Sequence, residues 1–376
     1  MPTPGDKVKL VTKQETLEGI LMPSFQKGVI LIKLENGYNV GLPEKEIIKM
    51  TVIERAKEKN SLKIKESAKK NLPTISILHT GGTIASKVDY RTGGVFAGFT
   101  NEDFLSMFPE ISTIANIRSR HVANLMSEDM RFKHYQLLAT AIEEEIKKGT
   151  SGIIIGHGTD TIAITAAALS FMLENVPVPI ILVGSQRSSD RGSTDAAMNL
   201  FCAATFIIHS GYQGVGICMH EQSSDTTCLI LPPTKTRKMH TSRRDAFKII
   251  NGKALARVDY KSGKIDWIDK QVNSSGKMAV RSSFEEKVAV IKTHVNMSSL
   301  FFEALISGKF KGLVLEGTGI GQAPTNIEEN LGNYKALENF IKKGGVVILT
   351  SQCIYGAVHP DIYSNCRRLR DIGVIF

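Results

Sequence analysis

Residues 75–86 read ISILHTGGTIAS, and residues 152–164 read GIIIGHGTDTIAI. In both, a short apolar run enters a turn carrying glycine and threonine, and Ile-Ala follows. Ile75, Ile77 and Leu78 suit a buried strand, and Gly81-Gly82 is a strong turn signal. The first turn carries neither a GxGxxG nor a GxxxxGK[ST] pattern, so a phosphate-cradling loop does not explain it. What it offers is a hydroxyl, Thr83, at the carboxyl end of a strand, where open α/β sheets bind ligands. A threonine after Gly-Gly also serves as a plain turn or cap residue. The echo at Thr159 changes the balance, because two such turns side by side at one sheet edge bring Thr83 and Thr159 together.

Outward from these stretches the chain repeats strand, glycine turn and helix. VPIILVGSQRSSD is a strand followed by the helical STDAAMNLFCAATFII, for which Ser193, Thr194 or Asp195 supplies a cap. YQGVGICMH, KVAVIKTHV, KGLVLEGTGIG and GGVVILTSQ continue the strand series. Alternating βα units imply an α/β fold with mostly parallel sheets covered on both faces. A polar break at residues 273–287 separates a large α/β domain, residues 73–280, from a smaller one, residues 281–376, which is read as truncated at its C-terminus. The first residues differ. Short β-like runs are separated by glycine, proline and the hairpin signal Asn36-Gly37, which predicts a small all-β barrel of the SH3-like kind over residues 1–52. The Lys-rich stretch at residues 53–72 reads as an exposed linker or a solvated helix.

Composition narrows the class. A chain of 376 residues with 42% hydrophobic and 22% charged residues is long enough for two or three domains and ordinary for a soluble protein. The opening MPTPGDKVKLVTKQ lacks the apolar core of a signal peptide, and no apolar run reaches membrane length, so a cytoplasmic protein without membrane contact is expected. Five cysteines without a CxxC pair argue for a reducing compartment and against a structural zinc or disulfide framework; no metal is expected. The formal net charge of +10 suits a polyanion such as RNA, although a generally basic surface explains it as well.

A threonine hydroxyl becomes a nucleophile only when something takes its proton, and a lysine or a carboxylate-oriented base can do so. HGTDT supplies Thr159 with Asp160 adjacent, and the loop TKTRKMHTSRRDAFK at residues 234–248 is the one Lys/Arg-rich loop with intervening hydroxyls. The plain alternative is that Asp160 caps the following helix and the loop is a solvated face. His79 and His157 precede the two turns and read as buried, hydrogen-bonded strand-end residues rather than bases. Cys353 reads as a packed thiol. Arg187 and Arg191 read as residues holding turns or a subunit interface.

HTGGTIAS followed by GHGTDT resembles the two signatures of the bacterial-type L-asparaginase/glutaminase family, from about Leu72 to the chain end. The resemblance implies a two-domain asparaginase-like fold. It makes Thr83 the acyl-accepting nucleophile and Tyr90, in SKVDYRTGG, a lid residue. Thr159, Asp160 and Lys238 become the group that activates hydroxyl or water, the lysine being placed at Lys238 by KMHTSRRDAF. Ser127, in MSEDM, matches the serine that holds the substrate carboxylate. Glu128 stands where secreted members usually have Gln, and Asp160 also takes the substrate ammonium. Gly82 and Thr159 are candidate backbone donors to the oxyanion.

The amino-terminal barrel together with SEDM, GSQRSSDRGSTDAAMNLFCA, RKMHTSRRDAFK and LVLEGTGIGQAP resembles a narrower family, the D-type subunits of the archaeal glutamyl-tRNA(Gln) amidotransferases. That resemblance implies an ammonia source within a carbon–nitrogen ligase that takes glutamine as amido donor. By the same resemblance the chain is expected to have no cofactor of its own, its amidotransferase partner, the E-type subunit, to bind glutamyl-tRNA(Gln) and use ATP and Mg²⁺, and two copies of each chain to form a heterotetramer around a homodimer. Members of the family continue past this chain's last residue, and their sites are completed near a subunit interface. A stand-alone cytosolic asparaginase and a non-catalytic scaffold subunit are the competing expectations.

Overall fold

The computed structural model describes residues 2–3, 6–22, 28–34, 39–55, 71–81, 86–88, 95–97, 108–187, 194–270 and 276–376. The Asn36-Gly37 turn, most of the Lys-rich stretch, Gly82, Thr83, Tyr90, Arg191 and Ser193 lie outside the described residues. The chain divides into two compact units, Met1–Ser282 and Ser283–Phe376.

The first unit opens with β1 (Lys7–Thr12), β2 (Thr16–Met22), β3 (Val29–Leu34), β4 (Asn39–Pro43) and β5 (Ile47–Glu54). These form one antiparallel sheet in the order β4-β3-β2-β1-β5. Alternation along β1 buries Val8 and Leu10 between exposed Lys7 and Lys9, as a period of two requires for a sheet with one covered face. In β3 the parity of Ile30, Ile32 and Leu34 faces the same core, with Ile32 fully buried. The pairing of Lys7 with Glu54 carries β5 two residues into the stretch read from sequence as linker.

Next come β6 (Thr74–His79), the antiparallel pair β7 (Ser86–Val88) and β8 (Val95–Ala97), β9 (Asn116–His121), α1 (Phe132–Lys147) and β10 (Gly152–Gly156). They are followed by α2 (Ile162–Met172), β11 (Leu173–Glu174), β12 (Pro179–Val183), α3 (Ala196–His209) and β13 (Gly214–His220). The unit closes with β14 (Thr227–Leu231), β15 (Thr236–Lys238), β16 (Phe247–Ile249), β17 (Ala256–Asp259), β18 (Ile265–Trp267) and β19 (Ala279–Val280). Eight of these strands form one sheet in the order β18-β17-β14-β13-β12-β10-β6-β9. From β9 to β13 every pairing is parallel, as the βα alternation predicts. The antiparallel arm β14, β17 and β18 was not anticipated. Its strands are short, and β17 turns into β18 through a tight polar turn in which Asp259 accepts the Ser262 N–H at 2.8 Å.

β10 and β12 are buried at every position, the pattern of strands covered on both faces. α3 lies on one face, and its Phe206 ring packs between Tyr212 and Trp267, with centroids 5.6 and 5.5 Å away. α1 is pinned to the sheet by a buried carboxylate. Glu145 accepts hydrogen bonds from Ser76 of β6 at 2.8 Å, Arg118 of β9 at 3.0 Å and Lys148 at 2.7 Å. Burial alone raises its pKa, but these donors outweigh it and hold the carboxyl below the usual range.

The second unit carries β20 (Val288–Lys292), α4 (Leu300–Ser307), β21 (Gly312–Gly317), α5 (Leu331–Lys342), β22 (Val346–Ser351) and α6 (Ser364–Asp371). Its three strands pair in parallel around a core that includes Phe302, Leu315, Leu337, Phe340 and Leu369. Beyond α6, Ile375 bridges to Ile348. Cys353 is exposed, which corrects the expectation of a packed thiol: β22 ends at Ser351 and Cys353 sits on the turn beyond it. The other four cysteines are buried free thiols. Among the described residues no helix is long and apolar enough to cross a membrane, and no group of three or more His, Cys, Asp or Glu is arranged to hold a metal ion.

Phe206 is fully buried, so Phe206→Ala removes a large ring from a packed site and should lower the stability of the first unit by about 3–5 kcal/mol. Urea unfolding followed by the fluorescence of Trp267, the one tryptophan, measures this directly. A loss under about 1 kcal/mol would show that Phe206 does not organise this core.

Candidate functional site

Strand register sets the site. β6 pairs with β10 so that His79 stands opposite Gly156, and β10 pairs with β12 so that Gly156 stands opposite Val183. The segments leaving β6, β10 and β12 therefore emerge together at the carboxyl edge of the sheet. β9, beside β6, sends residues 122–128 to the same edge. Open parallel sheets bind ligands at this edge.

Backbone contacts lock these segments to one another. Thr80 donates both its N–H and its hydroxyl to Gly156 O, at 3.1 and 3.0 Å, and Leu125 N–H donates to Thr80 O at 3.1 Å. Gly81 has a φ of +107°, and a Cβ there would lie 2.4 Å from Leu125 O, so only glycine fits. A Cβ on Gly158 would lie 2.7 Å from Ser127 Cβ. The bare glycine lets buried Ser127 approach, and the Thr161 hydroxyl, donating to Ser127 O at 2.6 Å, secures it.

Lys238, the last residue of β15, reaches this edge from far along the chain. Its Nζ donates to Thr159 Oγ1 and to Asp160 Oδ1, both at 2.8 Å. The lysine side chain is largely covered and the Asp160 carboxylate largely exposed. Lys235, another lysine of the loop, instead lines a separate cleft with Thr234, Asn251 and Lys253. Asp160 does not cap α2: Thr161 occupies the cap position, and the carboxylate turns to Lys238. Asp160 Oδ2 and the Thr159 backbone N–H have no partner among the described residues. Glu128 is exposed at the same edge. The structure thus brings Ser127, Thr159, Asp160 and Lys238 to one place, while Gly82, Thr83 and Tyr90 lie outside the described residues.

The strand-end histidines are structural. His157 is fully buried; its Nδ1 donates to Gly158 O at 2.8 Å, so its Nε2 accepts from the Thr165 hydroxyl at 2.9 Å. Desolvation pushes its pKa down to about 4, with the Gly158 bond opposing. His79 bonds Ser119 Oγ at 2.9 Å and is likewise lowered to about 4, by burial and then by His121. Both are neutral at neutral pH.

A second buried carboxylate shapes the third segment. Asp195 is fully buried and accepts the Gln186 N–H at 3.0 Å and the Arg187 N–H at 3.0 Å, holding the turn that contains Arg187. Asp195 therefore occupies the cap position of α3 with its carboxylate turned away, and Thr194 Oγ1 takes the Ala196 N–H at 3.2 Å instead. Asn199 donates to Gly184 O at 3.1 Å. Sequence reading passed over Asn199 and the anchoring use of Asp195. The available signal was an asparagine inside the apolar helix AAMNLFCAATF, where a polar residue must be bonded.

His79 and His157 make stability acid-sensitive with a defined sign. The unfolded chain binds a proton near the ordinary value of 6.5, whereas the folded sites stay neutral until about 4. Their contribution to stability is therefore level above 6.5 and falls as pH drops towards 4, by at most about 1.4 kcal/mol per pH unit for each histidine. His157→Gln should flatten its share of that slope in urea titrations across this range; an unchanged slope would refute the buried neutral assignment.

Comparison with known proteins bears on family and fold. The asparaginase N-terminal family model matches residues 74–273, the glutaminase/asparaginase C-terminal domain model matches 287–376, and the GatD N-terminal domain model matches 3–53. The chain is 42% identical over 382 residues to the glutamyl-tRNA(Gln) amidotransferase D subunit of Pyrococcus furiosus, covering 99% of this chain and 85% of that one. It is 42% identical over 380 residues to the corresponding D subunit of Methanococcus maripaludis, covering 99% and 88%. Among solved structures, the thermostable L-asparaginase of Thermococcus kodakarensis superposes with a TM-score of 0.71 at 29% identity, covering 80% of this chain and 87% of that one. L-asparaginase I of Vibrio cholerae superposes with a TM-score of 0.68 at 26% identity, covering 81% and 87%. The two-domain α/β fold, the small antiparallel sheet before it and relatives aligned along nearly the whole chain place the protein in the family of glutamyl-tRNA(Gln) amidotransferase D subunits, built on the asparaginase/glutaminase fold.

Proposed function

We propose that this chain is the amide-hydrolysing subunit of a tRNA-dependent amidotransferase, releasing ammonia from the side-chain amide of glutamine or asparagine. The observation that carries this reading is the contact of Lys238 Nζ with both Thr159 Oγ1 and Asp160 Oδ1 at the carboxyl edge of the parallel sheet. A lysine bonded to a threonine hydroxyl and steadied by a carboxylate is a proton-relay arrangement for hydroxyl or water chemistry.

In the proposed mechanism Thr83 Oγ attacks the amide carbon and its proton passes to the leaving nitrogen. The C–N bond breaks, ammonia leaves, and an ester on Thr83 remains. A water whose proton is taken through Thr159 and Lys238 then adds to the ester carbon. The amino-acid carboxylate departs and the Thr83 hydroxyl is restored. Asp160 Oδ2, beside Lys238, receives the substrate ammonium, and Ser127 with Glu128 holds the substrate's other end. Backbone N–H groups at Gly82 and Thr159 face the developing oxyanion. Tyr90 closes over the substrate.

The ammonia then passes to a partner, the E-type subunit, which binds glutamyl-tRNA(Gln) and activates it with ATP and Mg²⁺; this chain needs no cofactor. The complex is proposed to be cytoplasmic, with this chain as a homodimer inside a heterotetramer. Relatives named as D subunits and the match to the GatD N-terminal domain favour this assembly over a free asparaginase.

The test is ammonia release from glutamine and asparagine, by the chain alone and with partner and glutamyl-tRNA. Thr83→Ala should reduce release at least about 10³-fold, and Lys238→Met by roughly 10²–10⁴-fold, the range for loss of a proton-transfer group. Release that rises sharply with partner and tRNA supports the amidotransferase reading. Strong unstimulated asparagine hydrolysis would make the chain a free asparaginase, and activity surviving in Thr83→Ala would overturn the acyl-enzyme.

A further inference from the structure

Beneath the edge that holds Thr159 lies a buried polar chain that the proposed mechanism does not use. His220, the last residue of β13, is almost completely buried. Its Nδ1 lies 2.6 Å from Asn199 Oδ1 and its Nε2 lies 3.0 Å from Asp225 Oδ1. The orientation of the Asn199 amide is set on its other side. Its Nδ2 faces Gly184 O at 3.1 Å and Asp195 Oδ2 at 3.3 Å, both acceptors, so the amide nitrogen must point there and the amide oxygen towards His220. The same oxygen accepts the Cys228 thiol at 3.4 Å. The same Asp225 oxygen accepts a hydrogen bond from the Arg244 guanidinium at 2.8 Å. Both ring nitrogens of His220 therefore face oxygen acceptors.

We propose that His220 is a positioning residue held as an imidazolium, orienting the Asn199 amide and through it the Gly184 main chain that supports Thr159. The link to the site is close: a Cβ on Gly184 would lie 2.8 Å from Thr159 Cγ2, so the Gly184 backbone is the surface against which the Thr159 side chain rests. At its outer end the chain reaches the other half of the site, because Arg244 belongs to the same loop as Lys238. The charged and titratable groups around the ring are few. Asp225 and Arg244 lie on the outer side, and Asp195 lies beyond Asn199. Cys218 and Cys228 are pushed up by burial and remain neutral thiols. The neighbouring Glu221 is engaged by Arg257 at 2.7 Å. A buried cation is tolerable here because it meets a carboxylate on one side and an amide oxygen on the other. A short charge-assisted bond to Asn199 stops the amide from turning over, which a neutral ring accepting at Nδ1 would require.

This inference rests on the reading that Thr159 and Lys238 perform the chemistry, and two measurements separate its fate from that reading. Histidine-selective ¹⁵N NMR of the full chain at neutral pH, assigned by the signal lost in His220→Gln, should show both His220 nitrogens at the protonated position. One nitrogen at the unprotonated position overturns the proposal, whatever the activity. In kinetics on glutamine and asparagine, with partner and glutamyl-tRNA present, His220→Gln should lower kcat roughly 10- to 100-fold with KM within about twofold. Wild-type kcat in that variant also overturns it. Asp225→Asn, altering a largely exposed side chain, keeps the question open to test if His220→Gln does not fold. It should lose the doubly protonated signature and share the kcat defect, and retention of both would refute the proposal. If the unmodified complex hydrolyses neither amide, the proposed function fails while the NMR signature still decides the state of His220.

Discussion

The parallel pairing of β6, β10 and β12 is the constraint on which the site depends. With His79 opposite Gly156 and Gly156 opposite Val183, three chain segments must leave the sheet at one level and compete for the same small volume. They fit because the contact points lack side chains. Gly81 admits the Leu125 backbone, Gly158 admits Ser127, and Gly184 admits Thr159. Each glycine trades conformational entropy for an approach that a methyl group would prevent. The hydroxyls are thereby gathered from separate segments onto a buried, well-bonded platform.

Electrostatics divides this platform into layers. His79 and His157 are driven neutral by burial and serve as hydrogen-bonding struts. Glu145 at the amino end of the sheet and Asp195 under the third segment are buried carboxylates surrounded by donors, so they fix backbone and helix positions. At the rim a charged pair meets solvent, where Lys238 joins a buried hydroxyl to an exposed carboxylate. Charge is thus satisfied inside and left available where a polar substrate can use it, the division expected when desolvation is the dominant penalty.

The two ends of the chain carry smaller versions of the same logic. The amino-terminal sheet covers one face with Val8, Leu10, Leu21 and Ile32 and exposes the other, which carries Lys7, Lys9, Glu18, Ile20 and Ile53. The second unit packs a three-stranded parallel sheet against its helices through Phe302, Leu337 and Phe340. The match of the first residues to the GatD N-terminal domain is what distinguishes this chain from free asparaginases with the same α/β fold.

Local chemistry in the sequence determined the strands, the glycine turns after β6 and β10, and the α/β class, because apolar runs and Gly-Thr turns act within a few residues of themselves. Thr159, Asp160 and Lys238 were legible as candidates for the same reason, through short motifs. The stretch KMHTSRRDAF singled out Lys238, and the structure brings Lys238 to Thr159 while Lys235 lines a separate cleft. Tertiary structure alone decided that Cys353 is exposed and that Asp195 anchors a turn rather than capping α3 by its side chain. The antiparallel arm of the sheet and the Asn199–His220–Asp225 chain were invisible for a common physical cause. The β14–β17 pairing and the Asn199–His220 bond join residues about twenty or more positions apart, which leaves no periodicity, and only the folded register brings their donors and acceptors face to face.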